Sequence, residues 1–396
     1  MIFSMFIPLS YNVRSLIARK TTSIATALGI ALVVFVVASS QMLSNGIRQT
    51  MSLSGSPGNA MVLRKGSDNE LSSSIEVSTV SLIMAAPGVK KDSSGAPMGS
   101  GEVAVVIAMD KLGTGVEGQV SNVQVRGVPG NVMNTRTNVR VIEGRPAQPG
   151  TDECIIGKSI WKRFKGLDLN QAFDLKKNRP IKVVGVFEAQ GSSLESEIWV
   201  DVETLRTSFG REGLVSSVTV VLESKEKFEA FATTIESDKR LGLEAMRESA
   251  YFEKQSEDTA NFMGAMGGLI AFFFSIGAMI GAMITMYAAV SQRGREIGTL
   301  QALGFPRLAI LISFLFESTF LALTGGLLGA LAALGMSTVH FSMMNFATWQ
   351  EISFSFTPTP EILIRSMIAG GVMGILGGFF PAVRAARMSP IAAIRD

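Results

Sequence analysis

Residue types that carry covalent or metal chemistry are scarce in this sequence. Cys154 and His340 each occur once. A single cysteine cannot close an intrachain disulfide, and beside Ile155 and Ile156 it reads as a small core residue. A lone histidine is more often structural than catalytic. Together the two exclude a multi-Cys/His zinc site, though not a carboxylate-rich one, and no metal ligand is assigned. Gly113-Thr114-Gly115-Val116-Glu117-Gly118 matches G-x-G-x-x-G. A dinucleotide site needs that turn between a strand and a helix. Here residues 119–128 alternate as a strand, so a hairpin loop is expected instead. Gly157-Lys158-Ser159 resembles the end of a P-loop, but Asp152 stands where the earlier glycine is required, and no phosphate binding is expected. Neither G-x-S-x-G nor H-E-x-x-H occurs. No residue is assigned as catalytic, and the chain itself is expected to bind no cofactor.

The remaining titratable residue of note is Glu317, set within an apolar run. At helical rise it lies about 15 Å along its helix, where a carboxyl is costly unless partnered or protonated. It is either a proton or substrate site or a helix–helix contact. The contact is preferred, because no second acid lies in an apolar run to form a relay. Small residues recur at four-residue spacing around it: Gly325 and Gly329 in the same run, and Gly370, Gly374 and Gly378 in the last. Gly264 and Gly268, and Gly277 and Gly281, do the same in the second run. Such stripes let helix backbones approach closely, so Glu317, Gly325, Gly329, Gly370, Gly374 and Gly378 are read as membrane packing positions.

The elements that must hold these residues follow from composition. The chain has 396 residues, 47% hydrophobic and only 17% charged, with mean hydropathy +0.33. That mix fits membrane helices joined to a soluble domain. A net charge of +3 gives no nucleic-acid face. Four apolar runs, 22–45, 262–290, 308–339 and 362–383, are each long enough to cross a hydrocarbon core of roughly 30 Å. The first is too long for a cleavable signal and reads as an uncleaved anchor. Arg365, near the start of the fourth, can snorkel to the interface.

Lys and Arg near the run ends set the orientation. Arg14, Arg19 and Lys20 precede the first run, Arg293, Arg295 and Arg307 separate the second and third, and Arg384, Arg387 and Arg395 follow the fourth. The loop 340–361 has neither Lys nor Arg. The segment 1–21, the segment 291–307 and the tail 384–396 are therefore expected in the cytoplasm, and 46–261 and 340–361 outside.

The expected fold is membrane α-helical with four spans, plus an extracytoplasmic mixed α/β domain between the first and second. Within 46–261, strands are expected at 103–109, 120–128, 181–187, 197–202 and 217–222. Helices are expected at 78–86, 158–164, 203–209 and 225–236. The polar stretch 243–261 enters the second run without a Gly or Pro break and is expected to form a helical stalk, as is 44–53 after the first run.

The segment 291–307 is the most informative. Ile297, Leu300 and Leu303 recur at helical spacing, and Gly304 and Pro306 end the helix. A short amphipathic helix at the membrane surface either rests on lipid headgroups or presents a knob to a partner. Arg295-Glu296-Ile297-Gly298, Leu300 and Ala302-Leu303-Gly304 closely resemble the signature of MacB/FtsX-like ABC transporter permeases. Pro381-Ala382-Val383-Arg384-Ala385-Ala386-Arg387-Met388-Ser389-Pro390 resembles that family's tail. Glu317 with Gly325-Gly326 and Gly329 is similar to its third span, and Arg19-Lys20 with Leu28-Gly29-Ile30 to its first. Glu143-Gly144-Arg145-Pro146, Ile155-Ile156-Gly157-Lys158 and Val183-Val184-Gly185-Val186 resemble its periplasmic core domain.

The resemblance implies a multi-pass permease of the inner membrane. It implies pairing with a second copy or a similar permease, and a cytoplasmic ABC ATPase partner that supplies ATP and magnesium chemistry. Arg293, Arg295, Glu296, Ile297, Leu300, Leu303 and Gly304 would contact that ATPase, and Arg384, Arg387 and Arg395 would contact the ATPase or anionic lipid. Export by mechanotransmission, with a periplasmic adaptor as a further partner, is the leading implication. A regulatory scaffold of the FtsX kind and a lipoprotein-releasing permease are the alternatives.

Overall fold

The computed structural model describes residues 19–112 and 119–388. The glycine motif 113–118, Arg14 and Arg395 lie outside the described residues. In chain order the elements begin α1 (Lys20–Ser52), β1 (Asn59–Arg64), β2 (Ile75–Glu76), α2 (Val77–Met84), β3 (Gly99–Asp110), β4 (Val120–Val128), α3 (Val132–Thr135) and β5 (Arg140–Gly144). There follow β6 (Glu153–Gly157), β7 (Ala172–Lys176), β8 (Arg179–Glu188), β9 (Glu197–Asp201), α4 (Val202–Phe209), β10 (Leu214–Val215), β11 (Ser217–Val221), α5 (Phe228–Ser237) and β12 (Leu243–Arg247). The chain ends with α6 (Glu248–Gln292), α7 (Gly294–Ala302), α8 (Arg307–Gly335), β13 (His340–Met344), β14 (Glu351–Ser355) and α9 (Pro360–Arg387). They divide into a helical unit, Met1–Asn45, Asn261–Val339 and Phe356–Asp396, and an α/β unit, Gly46–Ala260 and His340–Ser355.

Among the described residues, four helices are long and apolar enough to cross a membrane: those in Lys20–Ser52, Glu248–Gln292, Arg307–Thr338 and Pro360–Arg387. Within the helical unit, small residues set the contact distance between α8, α9 and α1. A Cβ added at Gly325 would meet the Ala27 carbonyl oxygen at 2.4 Å, and one at Gly329 the Ala31 carbonyl oxygen at 2.3 Å. Added at Gly374 it would meet the Ala322 Cβ at 2.2 Å, at Gly378 the Ser318 hydroxyl at 2.2 Å, and at Gly370 a Val34 methyl at 2.6 Å. The backbones touch where side chains are missing, and dispersion between close backbones replaces the hydrophobic effect that lipid cannot supply. The stripe in α6 differs. Gly268, Gly277 and Gly281 have nothing within 4 Å of such a Cβ, and Phe272, Phe273, Ile280 and Ile284 on the same helix are exposed.

In the α/β unit one sheet runs β12-β1-β11-β3-β4-β9-β6-β8-β5, with β7 paired to β8. Its pairs are antiparallel except β4 with β9 and β6 with β8. Phe164, Phe231, Ile198 and Val218 lie in its main core. Phe187 and Trp199 stack at 4.7 Å in a second cluster. Two expectations are corrected. Residues 158–164 form turns, with Lys162 at φ 59°, a left-handed conformation that no α-helix accommodates. Residues 243–247 are strand β12, paired with β1, so the helix begins at Glu248. The loop 340–361 contains a hairpin, β13 with β14, grouped with the α/β unit. Lys111 Nζ lies 2.5 Å and Arg163 Nη2 2.7 Å from the Glu351 carboxylate, and the Ser121 hydroxyl donates to it. Burial works to raise that carboxyl's pKa, but the bonds from Lys111 and Ser121 prevail and hold it low. His340 faces Ser355 across the hairpin, Nδ1 to Oγ 3.1 Å.

Candidate functional site

In the helical unit the candidate residues gather where α6, α7 and α8 meet. A single residue, Arg293, separates the end of α6 from the start of α7, at φ −107° and ψ 19°, so the chain turns there. Gly304, at φ +91°, ends α7 in a conformation only glycine adopts without strain. The Phe305 amide donates to the Leu300 carbonyl at 3.1 Å. Pro306 at φ −69° then precedes α8, where its missing N–H costs nothing.

The expected apolar side of α7 is split between two surroundings. Ile297 is 2% exposed and packs with Met286, Val290, Ile310, Phe314, Ala382 and Ala385. Leu300 is half-buried, whereas Leu303 is 72% exposed. Arg295, Glu296 and Gly304 are exposed. Ile297 therefore belongs to the bundle rather than to a docking face. Arg293, expected at the rim of such a face, is instead buried. Its guanidinium lies 5.3 Å from the Phe314 ring centre, and Nε donates to Glu296 at 2.9 Å.

Glu317, on α8, is 1% exposed, and both of its oxygens accept from guanidinium groups. Arg293 Nη1 donates to one at 3.1 Å and Arg19 Nη2, one residue before α1, to the other at 2.8 Å. Sequence reasoning used Arg19 for orientation and missed it as a partner. The available signal was the need of a buried acid for a cation at matching depth. Higher in the bundle the hydroxyls of Thr26 and Thr285 join α1 to α6 at 2.7 Å. Arg384 and Arg387 are exposed on the last turns of α9, with Arg384 5.6 Å from the Tyr287 ring. Gln301 Nε2 donates to the Ala386 carbonyl at 3.5 Å.

A second charged cluster, in the α/β unit, had no sequence forecast. Arg126, fully buried, donates to Glu70, Glu102 and Glu197 at 2.7–2.9 Å. Arg136 donates to Glu102 and to Glu248, the first residue of α6, at 2.9 Å each. Glu248 also accepts from the Ser56 amide and from Asn59 Nδ2, both at 2.9 Å. Burial pushes the Glu102 carboxyl up. The charges of Arg136 and Arg126, with hydrogen bonds from Arg136 and Ser100, outweigh it and bring the pKa down to about 2. Every charged member is hydrogen-bonded and closed from solvent, which is the arrangement of a structural network rather than a reactive one.

The described residues thus combine four long apolar helices with glycine contacts, a buried Arg19–Glu317–Arg293 cluster beside α7, and a mixed α/β unit. Residues 23–238 match the MacB-like periplasmic core domain and residues 268–390 the FtsX-like permease C-terminal region. The chain belongs to the MacB/FtsX-like family of ABC transporter permeases. It is 29% identical over 227 residues to the macrolide export ATP-binding/permease protein MacB of Escherichia coli, covering 55% of this chain and 34% of that one. The chain thus spans about a third of the length of the MacB relatives it matches. It is 24% identical over 251 residues to an uncharacterized ABC transporter permease of Methanocaldococcus jannaschii, covering 61% of this chain and 62% of that one. Among solved structures, the extracellular domain of the noncanonic ABC-type transporter YknZ from Gram-positive bacteria aligns at TM-score 0.35 and 19% identity, over 48% of this chain and 99% of that one. The periplasmic region of MacB from Actinobacillus actinomycetemcomitans aligns at TM-score 0.36 and 12% identity, over 52% and 94%.

Proposed function

We propose that the chain is the permease subunit of an export-type ABC transporter of the inner membrane, and that ATP hydrolysis by a partner ATPase reaches it through α7. The carrying observation is the two-sided build of α7. Ile297 roots the helix in the bundle, while Leu303, Arg295 and Glu296 face outward. A helix anchored on one side and offered on the other can take up a push and pass it on. Leu303 supplies the apolar contact, and Arg295 and Glu296 set orientation more than affinity. ATP and magnesium act in the partner.

The Lys/Arg asymmetry supports both termini and α7 in the cytoplasm, with the α/β unit outside. A second copy, or a similar permease, packs against α1 and α6. The open stripe of Gly277 and Gly281 lines a groove of about 270 Å³ with Gly29, Leu32, Val33 and Phe274, and small residues favour helix pairing in lipid. The α6 helix runs unbroken for 45 residues, which suits it to carrying displacement to the α/β unit and any adaptor bound there.

The test is Leu303→Glu. Burying an unpaired carboxylate in an apolar groove costs more than the roughly 1–3 kcal/mol of a neutral polar group, so copurification of the cognate ATPase should fall while membrane insertion stays normal. Undiminished copurification and transport would leave α7 as a lipid-resting helix.

A further inference from the structure

We propose that Glu317 is a positioning residue for coupling: its carboxylate pins the one-residue hinge at Arg293, so that α7, α8 and the start of α1 turn as one body. This rests on the reading of α7 as the ATPase contact, but the hinge has its own observations. The Arg293 amide donates to the Val290 carbonyl at 3.2 Å, and its carbonyl accepts from the Ile297 amide at 2.9 Å. Neither reaches α8. The side chain does, with Nε on Glu296 in the first turn of α7 and Nη1 on Glu317. The planar guanidinium has donors along two edges, so it can hold both carboxylates at fixed angles, which a lysine ammonium on a flexible stem cannot do.

Glu317 extends the tie to α1 through Arg19. Low dielectric strengthens these contacts and makes an unpaired member costly. The three contacts together join α1, α6, α7 and α8 through Arg293 and Glu317.

The first arm of the test needs no ATPase. The full chain carrying Thr299→Cys, on the exposed side of α7, is spin-labelled in lipid nanodiscs. The native Cys154 is buried and takes no label. Glu317→Gln and Arg293→Lys should each increase label mobility, and Glu317→Asp should restore part of the immobilisation. Spectra identical to the parent in both Glu317→Gln and Arg293→Lys would overturn the proposal. Arg293→Lys keeps the buried charge and serves if Glu317→Gln fails to accumulate.

The second arm adds the cognate ATPase. Glu317→Gln should copurify with it and hydrolyse ATP normally, yet lose transport by at least about tenfold, equivalent to about 1.4 kcal/mol. A merely structural defect would lower all three together, and that result would also overturn the proposal, as would unchanged transport. If Leu303→Glu still binds the ATPase, the docking reading fails while the mobility result continues to judge the hinge.

Discussion

At the scale of residues, the buried charges of the α/β unit's network are each paired with opposite charge. The buried Arg126 network carries the clearest consequence. Removing one partner of a buried pair leaves an uncompensated charge and costs about 3–5 kcal/mol. Arg126→Met, which strands Glu70 and Glu197, should therefore destabilise the α/β unit by that order. Acid tests the same network. Its arginine partners hold the Glu102 carboxyl down from its ordinary 4.5 to about 2, so its contribution is fully present above pH 4.5 and is lost as pH falls from there toward 2. Emission of buried Trp199, whose indole donates to Glu197 at 2.9 Å, reports it once Trp161 and Trp349 are replaced by Phe. The unfolding temperature should fall steeply across that window in the parent. In Arg126→Met, which removes one of the charges that hold Glu102 low, the gap to the parent should narrow as pH falls from 4.5 toward 2. A gap that widens would mean the network is not held by its charges.

At the scale of elements, the four long apolar helices were legible because length and apolarity alone identify such a helix. The α/β unit was legible only where strands alternate, as in β4, for which the expected 120–128 matches Val120–Val128. Leu243-Glu244-Ala245-Met246-Arg247 is a run of good helix formers, and pairing with β1 overrode that propensity. The hairpin of β13 and β14 depends on Glu351 meeting Lys111 and Arg163 from far along the chain, and the Arg126 network likewise joins distant strands. No local pattern records such pairings. The surface helix α7 was found by its period, but the period could not say which apolar residue faced inward. Glycines make the element-scale prediction. Gly374→Val would drive a side chain into Ala322, and overpacking of this kind typically costs about 1–3 kcal/mol. Gly281→Val meets open space within the chain and should leave thermal stability of the solubilised monomer unchanged. It should instead weaken crosslinking between copies through cysteines placed at Ala278. Equal effects of the two substitutions on monomer stability would contradict this assignment of faces.

At the scale of the whole molecule, the proposed coupling requires a defined orientation and a moving α/β unit. The sole native thiol, Cys154, is buried, and burial, with the nearby Glu153 charge, pushes its pKa up, so introduced cysteines report alone. Lys177→Cys, in the exposed turn between β7 and β8, should label from outside intact cells, and Thr299→Cys should label only after permeabilisation. Reversed labelling would overturn the orientation. The most direct measurement of the central claim uses the same outer site. Spin labels at Lys177→Cys in the reconstituted permease–ATPase complex give the distance between the α/β units of two copies by pulsed EPR. The distance distribution should shift between the ATP-bound and ADP-bound states, and Leu303→Glu should abolish the shift while the complex stays in the membrane. An unchanged distribution in the parent across the ATP cycle, with hydrolysis proceeding, would contradict the claim that this permease passes ATP-driven motion to the outer unit.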